Sequence, residues 1–380
     1  MAFSRFSFPT TIHFGPGVRA KLAGLLQERG FKRPLVVTDQ GLAALPLFAA
    51  LLADLKAAGL DASAFSGVQG NPVKSQVTAG VAAFRAHRAD CLVGVGGGAA
   101  LDVAKAIVLM VHHPGDLFDY EDDKPGALPV DQPIPYWVAL PTTAGTGSEV
   151  GRSAVISDDA THVKRIIFDP KLLAPAVLAD PELTVGLPAG VTAATGMDAL
   201  THCVEAYLAR AYHPLCDGIA LEGLALAAAS LERCVKQPQD LKARGDMLMA
   251  SMMGAIAFQK GLGLVHSCAH ALSAAKDLHH GLANGVMIDH ALGFNVPAAP
   301  ERFLRLNQAV GLASQDPEAF LDWLGDLKRA IGIPDRLVRV KVTAADVPRL
   351  AQLAFQDACH PSNPRPCTQA DFEAVFTGAL

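Results

Sequence analysis

Short apolar runs rich in Val, Leu and Ile alternate with longer stretches of helical spacing through the first half of the chain. PLVVTD (34–39) leads into a helical stretch from Gly41 to Gly59, and another spans Val77 to Arg88. CLVGVGGG (91–98) precedes helical spacing from Leu101 to His112. YWVALPTT (136–143) reads as a further strand, and RIIFDP (165–170) and AVLAD (176–180) add two short ones. Strands separated by helices predict βαβ units and a parallel sheet. From about Pro188 the texture changes to long Ala/Leu-rich helices: Ala189 to Ala211, Pro214 to Val235, Leu241 to Phe258, Leu264 to Ala275, and several more before Leu380. The expectation is an α/β domain over residues 1–184 and an all-α domain over 185–380, with the Pro- and Gly-bearing DPELTVGLP (180–188) at the boundary.

Bulk properties narrow the partners. A length of 380 residues suits two domains that each bury a core. Hydrophobic residues at 51% and charged residues at 18% leave little chain for a disordered tail. The formal net charge is -5, with no basic run or aromatic-basic interleaving, which argues against nucleic acid. The start, MAFSRFSFPTTIHFG, lacks an apolar export core, and the apolar run Leu42 to Ala53 stops at Asp54, short of a bilayer span. Neither export nor a membrane partner is expected. Seven cysteines without CxxC pairs imply no disulfide framework and no thiolate zinc site, and fit a reducing cytoplasm.

Candidate chemistry lies at the strand ends and in the histidines. CLVGVGGGAALDVAK runs strand, triple glycine, helix, which brings backbone N–H groups and a helix N-terminus up to a phosphate at Gly96, Gly97 and Gly98. It is not GxGxxG, and such turns also occur as plain tight connections. Asp39 closes LVVTD, where an α/β nucleotide site places the acceptor for a ribose 2′-OH; as a plain helix cap it has an equally ordinary role. PTTAGTGSE (141–149) is dense in hydroxyls and glycines and has the reach for ribose and nicotinamide. Five of the 13 histidines, His266, His270, His279, His280 and His290, fall within residues 266–290. His266 and His270 share one helical face at i, i+4, and so do Asp198 and His202 in TGMDALTHCVEAY, so two helices can each aim a pair into one site. A carboxylate with imidazoles suits a divalent ion of borderline hardness: iron(II), zinc or manganese.

Together these segments resemble the iron-containing (group III) alcohol dehydrogenase family. The resemblance runs from FGPG (14–17) through VVTDQGL, GNP (70–72), GGGAALDVAK, LPTTAGTGSEV, ADPELTVGLP, TGMDALTHCVEAY, GLGLVHSCAHAL and HHGLANGV to SNPRP (362–366). It implies a dehydroquinate synthase-like fold: an N-terminal NAD-binding domain, a helical metal-binding domain, and an active site in the cleft between them. By residue it implies the metal ligands Asp198, His202, His266 and His280, and a non-ligand His270 near the nicotinamide, suited as an imidazole to relay a proton. Asp39, Asn71, Gly97, Gly98, Thr142, Thr143 and Thr146 match cofactor-contacting positions, and Cys359 matches a residue lining the substrate pocket. His279 matches no family histidine. Ala99 replaces the usual Ser of GGGS, and the stretch before His266 is one residue shorter than the commonest family pattern.

The implied activity is NAD-linked interconversion of a small primary alcohol and its aldehyde by a homodimer or higher homo-oligomer. The cation, Fe2+ first and Zn2+ or Mn2+ next, acidifies the alcohol for hydride transfer. Lys260, six residues before His266, and Arg152, after the hydroxyl-rich loop, form a candidate grip on the far carboxylate of an ω-hydroxy acid or semialdehyde; the plainer expectation is solvent exposure or pairing with acids such as Glu149. A maleylacetate reductase-like activity is a second alternative on this fold. A dehydroquinate synthase-type lyase would need a more basic pocket than LGLV before His266 provides, and a non-catalytic nucleotide-binding protein would not need the ligand set.

Overall fold

Where the apolar runs are continuous, the chain forms strands buried along nearly their whole length. The computed structural model describes residues 8, 10–161 and 163–380; most of the N-terminal stretch MAFSRFSFPTTIHFG lies outside them. In chain order the first compact unit, 8–143 with 147–184, contains β1 (Thr11–Phe14), α1 (Leu22–Gln27), β2 (Pro34–Asp39), α2 (Gln40–Ala43) and α3 (Pro46–Ala57). It continues through β3 (Ser63–Val68), α4 (Lys74–His87), β4 (Cys91–Gly96), α5 (Gly98–Met110), β5 (Trp137–Pro141), β6 (Ser153–Ser157), β7 (Lys164–Phe168) and β8 (Ala176–Ala179).

Six strands form one sheet in the order β1-β8-β5-β4-β2-β3, every pair parallel. The inner strands β4, β5 and β8 are buried at every position, as expected of a sheet covered on both faces. Three differences from the sequence expectation have physical causes. The stretch Gly41 to Gly59 is two helices, because Pro46 holds Leu45 in an extended conformation (φ -87, ψ 144) and ends α2. RIIFDP does not join the main sheet: β7 pairs antiparallel with β6, Ala154 opposite Ile167, in a separate hairpin. β1 and β3 are edge strands whose half-exposed sequences, TIHF and SAFSGV, lack the continuous apolar run that marks the inner ones.

The second unit, residues 144–146 and 185–380, is helical. Its helices are α6 (Ala189–Leu208), α7 (Pro214–Lys236), α8 (Leu241–Ala257), α9 (Leu264–Lys276), α10 (His280–Asn295), α11 (Pro300–Ala309), α12 (Ala319–Ile331), α13 (Val347–Phe355) and α14 (Gln369–Gly378). Side-chain caps start several of them, with Asp240 accepting from the Ala243 N–H before α8 and Thr368 from the Asp371 N–H before α14. α7 is long and apolar enough to cross a bilayer by length and composition, but it packs on α6 and α8 through a buried face of Cys216, Ala220, Leu224, Ala227 and Leu231. α6 is buried from Gly196 to Leu208, so every polar side chain along that stretch requires a partner inside the protein. α10 approaches α6 closely at Gly281, where a Cβ would stand 2.2 Å from the Ala194 carbonyl oxygen.

Candidate metal centre

The i, i+4 spacing read on α6 is realised: Asp198 and His202 sit one turn apart on its buried face. α9 contributes His266, and α10 begins at His280. One ligand-capable atom from each of the four lies within 4.8 Å of all the others. Asp198 Oδ1 is the hub, 3.7 Å from His202 Nε2, 3.8 Å from His266 Nε2 and 3.2 Å from His280 Nε2. Three of the side chains are at most 4% exposed, whereas His280 is 28% exposed and forms the open side.

The protonation states suit a cation. Burial drives His202 down to about 4 and His266 well below the usual imidazole range, so both rings are neutral at pH 7 with a lone pair to offer. Burial also opposes ionisation of Asp198, yet the surrounding imidazoles hold its carboxyl below the ordinary range. A carboxylate and neutral imidazoles converging in a buried pocket form a donor set for a divalent ion. Asn284, fully buried, donates its amide N–H to Asp198 Oδ1 (2.8 Å), while its own Oδ1 has no partner.

His270 is brought beside this cluster, its ring 5.2 Å from that of His280 and stacked on it. Its Nδ1 bonds to Asp357 (2.7 Å), which also accepts from the Ser267 hydroxyl (2.8 Å) and the Cys359 N–H (2.9 Å). Cys359 therefore sits in a second group with His270 and Asp357, and burial pushes its thiol well above the usual range. His279 stands outside both groups and accepts from the Leu282 N–H at the start of α10.

Apart from Thr146, the candidate cofactor residues lie at or just past the carboxyl ends of neighbouring parallel strands, where open α/β sheets bind ligands. Gly96 ends β4, Gly97 caps α5 and Gly98 opens it. The Thr142 N–H donates to the Gly96 carbonyl (3.0 Å), and Thr143 lies against Gly97. Asp39 ends β2 and caps α2 through the Leu42 N–H (2.8 Å), the plainer of its two roles. Asn71 follows β3. Thr146 belongs to the helical unit, its hydroxyl 3.5 Å from Asp198 Oδ2.

Two residues were missed in sequence. Glu205 accepts from His266 Nδ1 at 2.7 Å. Its signal was present: with Asp198 and His202 it makes the series i, i+4, i+7 on one face of an apolar helix. Asp357 had none, being 87 residues from the histidine it holds. The substrate-side lysine requires correction. The Lys260 side chain is 1% exposed, ion-paired with Asp217 and bonded to the Tyr207 carbonyl (2.7 Å), with Arg302 sharing the same carboxylate at 3.0 Å. A buried, partnered ammonium does not receive a substrate carboxylate. Arg152 lies over the Phe168 ring at 5.4 Å.

Family models agree with this architecture along almost the whole chain. Residues 9–181 match the model described as iron-containing alcohol dehydrogenase, and residues 192–380 match the C-terminal model of the Fe-containing alcohol dehydrogenase family. The chain belongs to the iron-containing alcohol dehydrogenase family. It is 38% identical to a 4-hydroxybutyrate dehydrogenase of Cupriavidus necator over 98% of each chain. It is 36% identical to an NAD-dependent methanol dehydrogenase of Bacillus methanolicus, covering 99% of this chain and 100% of the relative. A solved 1,3-propanediol oxidoreductase superposes with a TM-score of 0.94 at 36% identity, over 99% of this chain and 100% of the other. As a member of the iron-containing alcohol dehydrogenases the chain is an oxidoreductase that interconverts an alcohol and an aldehyde with NAD and a divalent metal.

Proposed function

We propose that Asp198, His202, His266 and His280 hold the divalent ion, iron(II) foremost, and that the enzyme's substrate is a small uncharged primary alcohol. The observation that carries this reading is the convergence of one carboxylate and three imidazoles from three helices within 4.8 Å. Bound there, the ion supplies positive charge that acidifies an alcohol or polarises an aldehyde, and NAD supplies the hydride acceptor.

The chain's own groups do the rest. Gly96, Gly97 and Gly98 offer backbone donors to the pyrophosphate, with Thr142, Thr143 and Asn71 beside it, and Thr146 is a further cofactor-contacting candidate. His270 takes the alcohol proton at Nε2; Asp357 holds the Nδ1–H and so keeps Nε2 free to accept. With its side chain 38% exposed, His270 can pass that proton to solvent. Cys359, next to it, lines the substrate side. We place the functional domain boundary between residues 184 and 185. The seven free thiols support a reducing cytoplasm, and the family resemblance supports a homodimer or higher homo-oligomer.

A panel of methanol, ethanol, 1-butanol, 1,3-propanediol and 4-hydroxybutyrate, followed by NADH absorbance, tests the substrate. Uncharged alcohols or diols are expected to give the highest kcat/KM; absence of turnover with every primary alcohol in metal-loaded protein would refute the reading. Because Lys260 is engaged with Asp217, Lys260→Ala is expected to lower the melting temperature by several degrees and leave the ratio of 4-hydroxybutyrate to 1-butanol turnover unchanged. Asp39 governs the nucleotide. A carboxylate facing a 2′-phosphate adds repulsion and loses a hydrogen bond, so NAD is expected to be preferred over NADP by about tenfold or more, and Asp39→Gly to narrow that ratio. Equal kcat/KM with both cofactors in the parent enzyme would remove Asp39 from this role.

A further inference from the structure

Glu205 is buried on α6, one turn beyond His202, and its four hydrogen-bond donors all come from the start of α9. The Gly263, Val265 and His266 N–H groups reach its carboxylate at 3.1, 2.6 and 3.3 Å, and His266 Nδ1 at 2.7 Å. The approach is so close that a Cβ on Gly263 would stand 2.9 Å from Glu205 Oε1. Asn363 takes the remaining N–H of that turn, from Leu264 at 3.2 Å. His202 provides the contrast, since its Nδ1 is buried with no partner.

A neutral imidazole carries one N–H, and the partner of one nitrogen decides what the other can do. With Nδ1–H donated to Glu205, His266 keeps a lone pair on Nε2, the atom that faces Asp198 Oδ1 at 3.8 Å. We infer that Glu205 is a positioning residue: it fixes the hydrogen of His266 on Nδ1 and ties α9 to α6, so that the metal centre is organised before an ion arrives. The inference rests on the ligand assignment proposed above. A glutamine at 205 keeps the shape but has one acceptor oxygen for four donors. With that oxygen on the backbone N–H groups, its NH2 faces Nδ1 and moves the ring hydrogen to Nε2, where it blocks coordination.

The test compares the parent with Glu205→Gln. The Kd for Zn2+ is measured by chelator competition, the His266 tautomer by two-bond 1H–15N correlation in metal-free 15N-histidine protein, and the melting temperature of the metal-free form by circular dichroism. The parent is expected to show the Nδ1–H tautomer, and the variant the Nε2–H tautomer with a Kd raised about ten- to a hundredfold. A Kd within twofold of the parent's with the tautomer unchanged, whatever the melting temperature does, makes Glu205 a helix cap only and overturns the inference. A parent that binds no ion overturns the ligand assignment itself, a distinguishable failure. If Glu205→Gln does not fold, Glu205→Asp retracts the carboxylate by one methylene; a several-fold rise in Kd supports the inference, and an unchanged Kd overturns it.

Discussion

Replacing His266 by alanine is expected to yield a folded chain that retains no stoichiometric divalent ion and turns over alcohols about a thousandfold more slowly or worse. His266 is 1% exposed and supplies one of four converging donors. Its loss leaves a three-donor set and a cavity beside Asp198, and a thousandfold in rate corresponds to only about 4 kcal/mol of lost stabilisation, within what a bound cation contributes. The fold should survive, because Glu205 keeps the three backbone N–H groups at the start of α9. Elemental analysis, circular dichroism and steady-state turnover check the three parts of this expectation, and chelation of the parent enzyme should reproduce the activity loss, with recovery on returning the metal. An alanine variant with parental metal content and turnover would rule out His266 as a ligand.

Gly281→Ala is expected to be the most destabilising single-methyl change near the site. The added Cβ would meet the Ala194 carbonyl oxygen at 2.2 Å and its carbon at 2.8 Å, both backbone atoms of α6 that cannot swing aside. Relief requires α10 to move off α6, which places the cost near the upper end for overpacking, about 3 kcal/mol. For a helical unit of this size that is roughly 6–12 °C in melting temperature. Because His280 is the preceding residue, the same displacement should weaken metal binding, so calorimetry and a metal titration together read the effect. A melting point within a degree or two of the parent's would mean that α10 and α6 separate at little cost.

What was legible in the sequence follows from which patterns carry information locally. The inner strands are continuous apolar runs, and so were read; β1 and β3, at the sheet edges with one face half exposed, offered no such run. The histidine cluster stood out because five imidazoles in 25 residues exceed any structural need, and helical spacing placed Asp198 with His202. Spacing alone paired His266 with His270, however, and only the family resemblance put His280 in the set instead. Charge direction was the hardest to read. Lys260 and a pocket lysine look identical in sequence; Asp217, which claims its ammonium, lies 43 residues away. Asp357 is hidden for the same reason: it lies just past the end of α13 and 87 residues from His270, and a contact so distant in sequence leaves no periodic trace.

The four converging side chains come from α6, α9 and α10, so no short peptide contains the set. An ion therefore has no local loop on which to nucleate folding, unlike the closely spaced ligands of a small zinc module, and meets its full complement of donors only after the three helices have packed. Interactions completed that late are weakly formed in the folding transition state, and they act on the unfolding rate far more than on the folding rate. An ion held there would work as a clasp on a finished structure: it would leave the speed of assembly nearly untouched and lengthen the lifetime of the assembled helices.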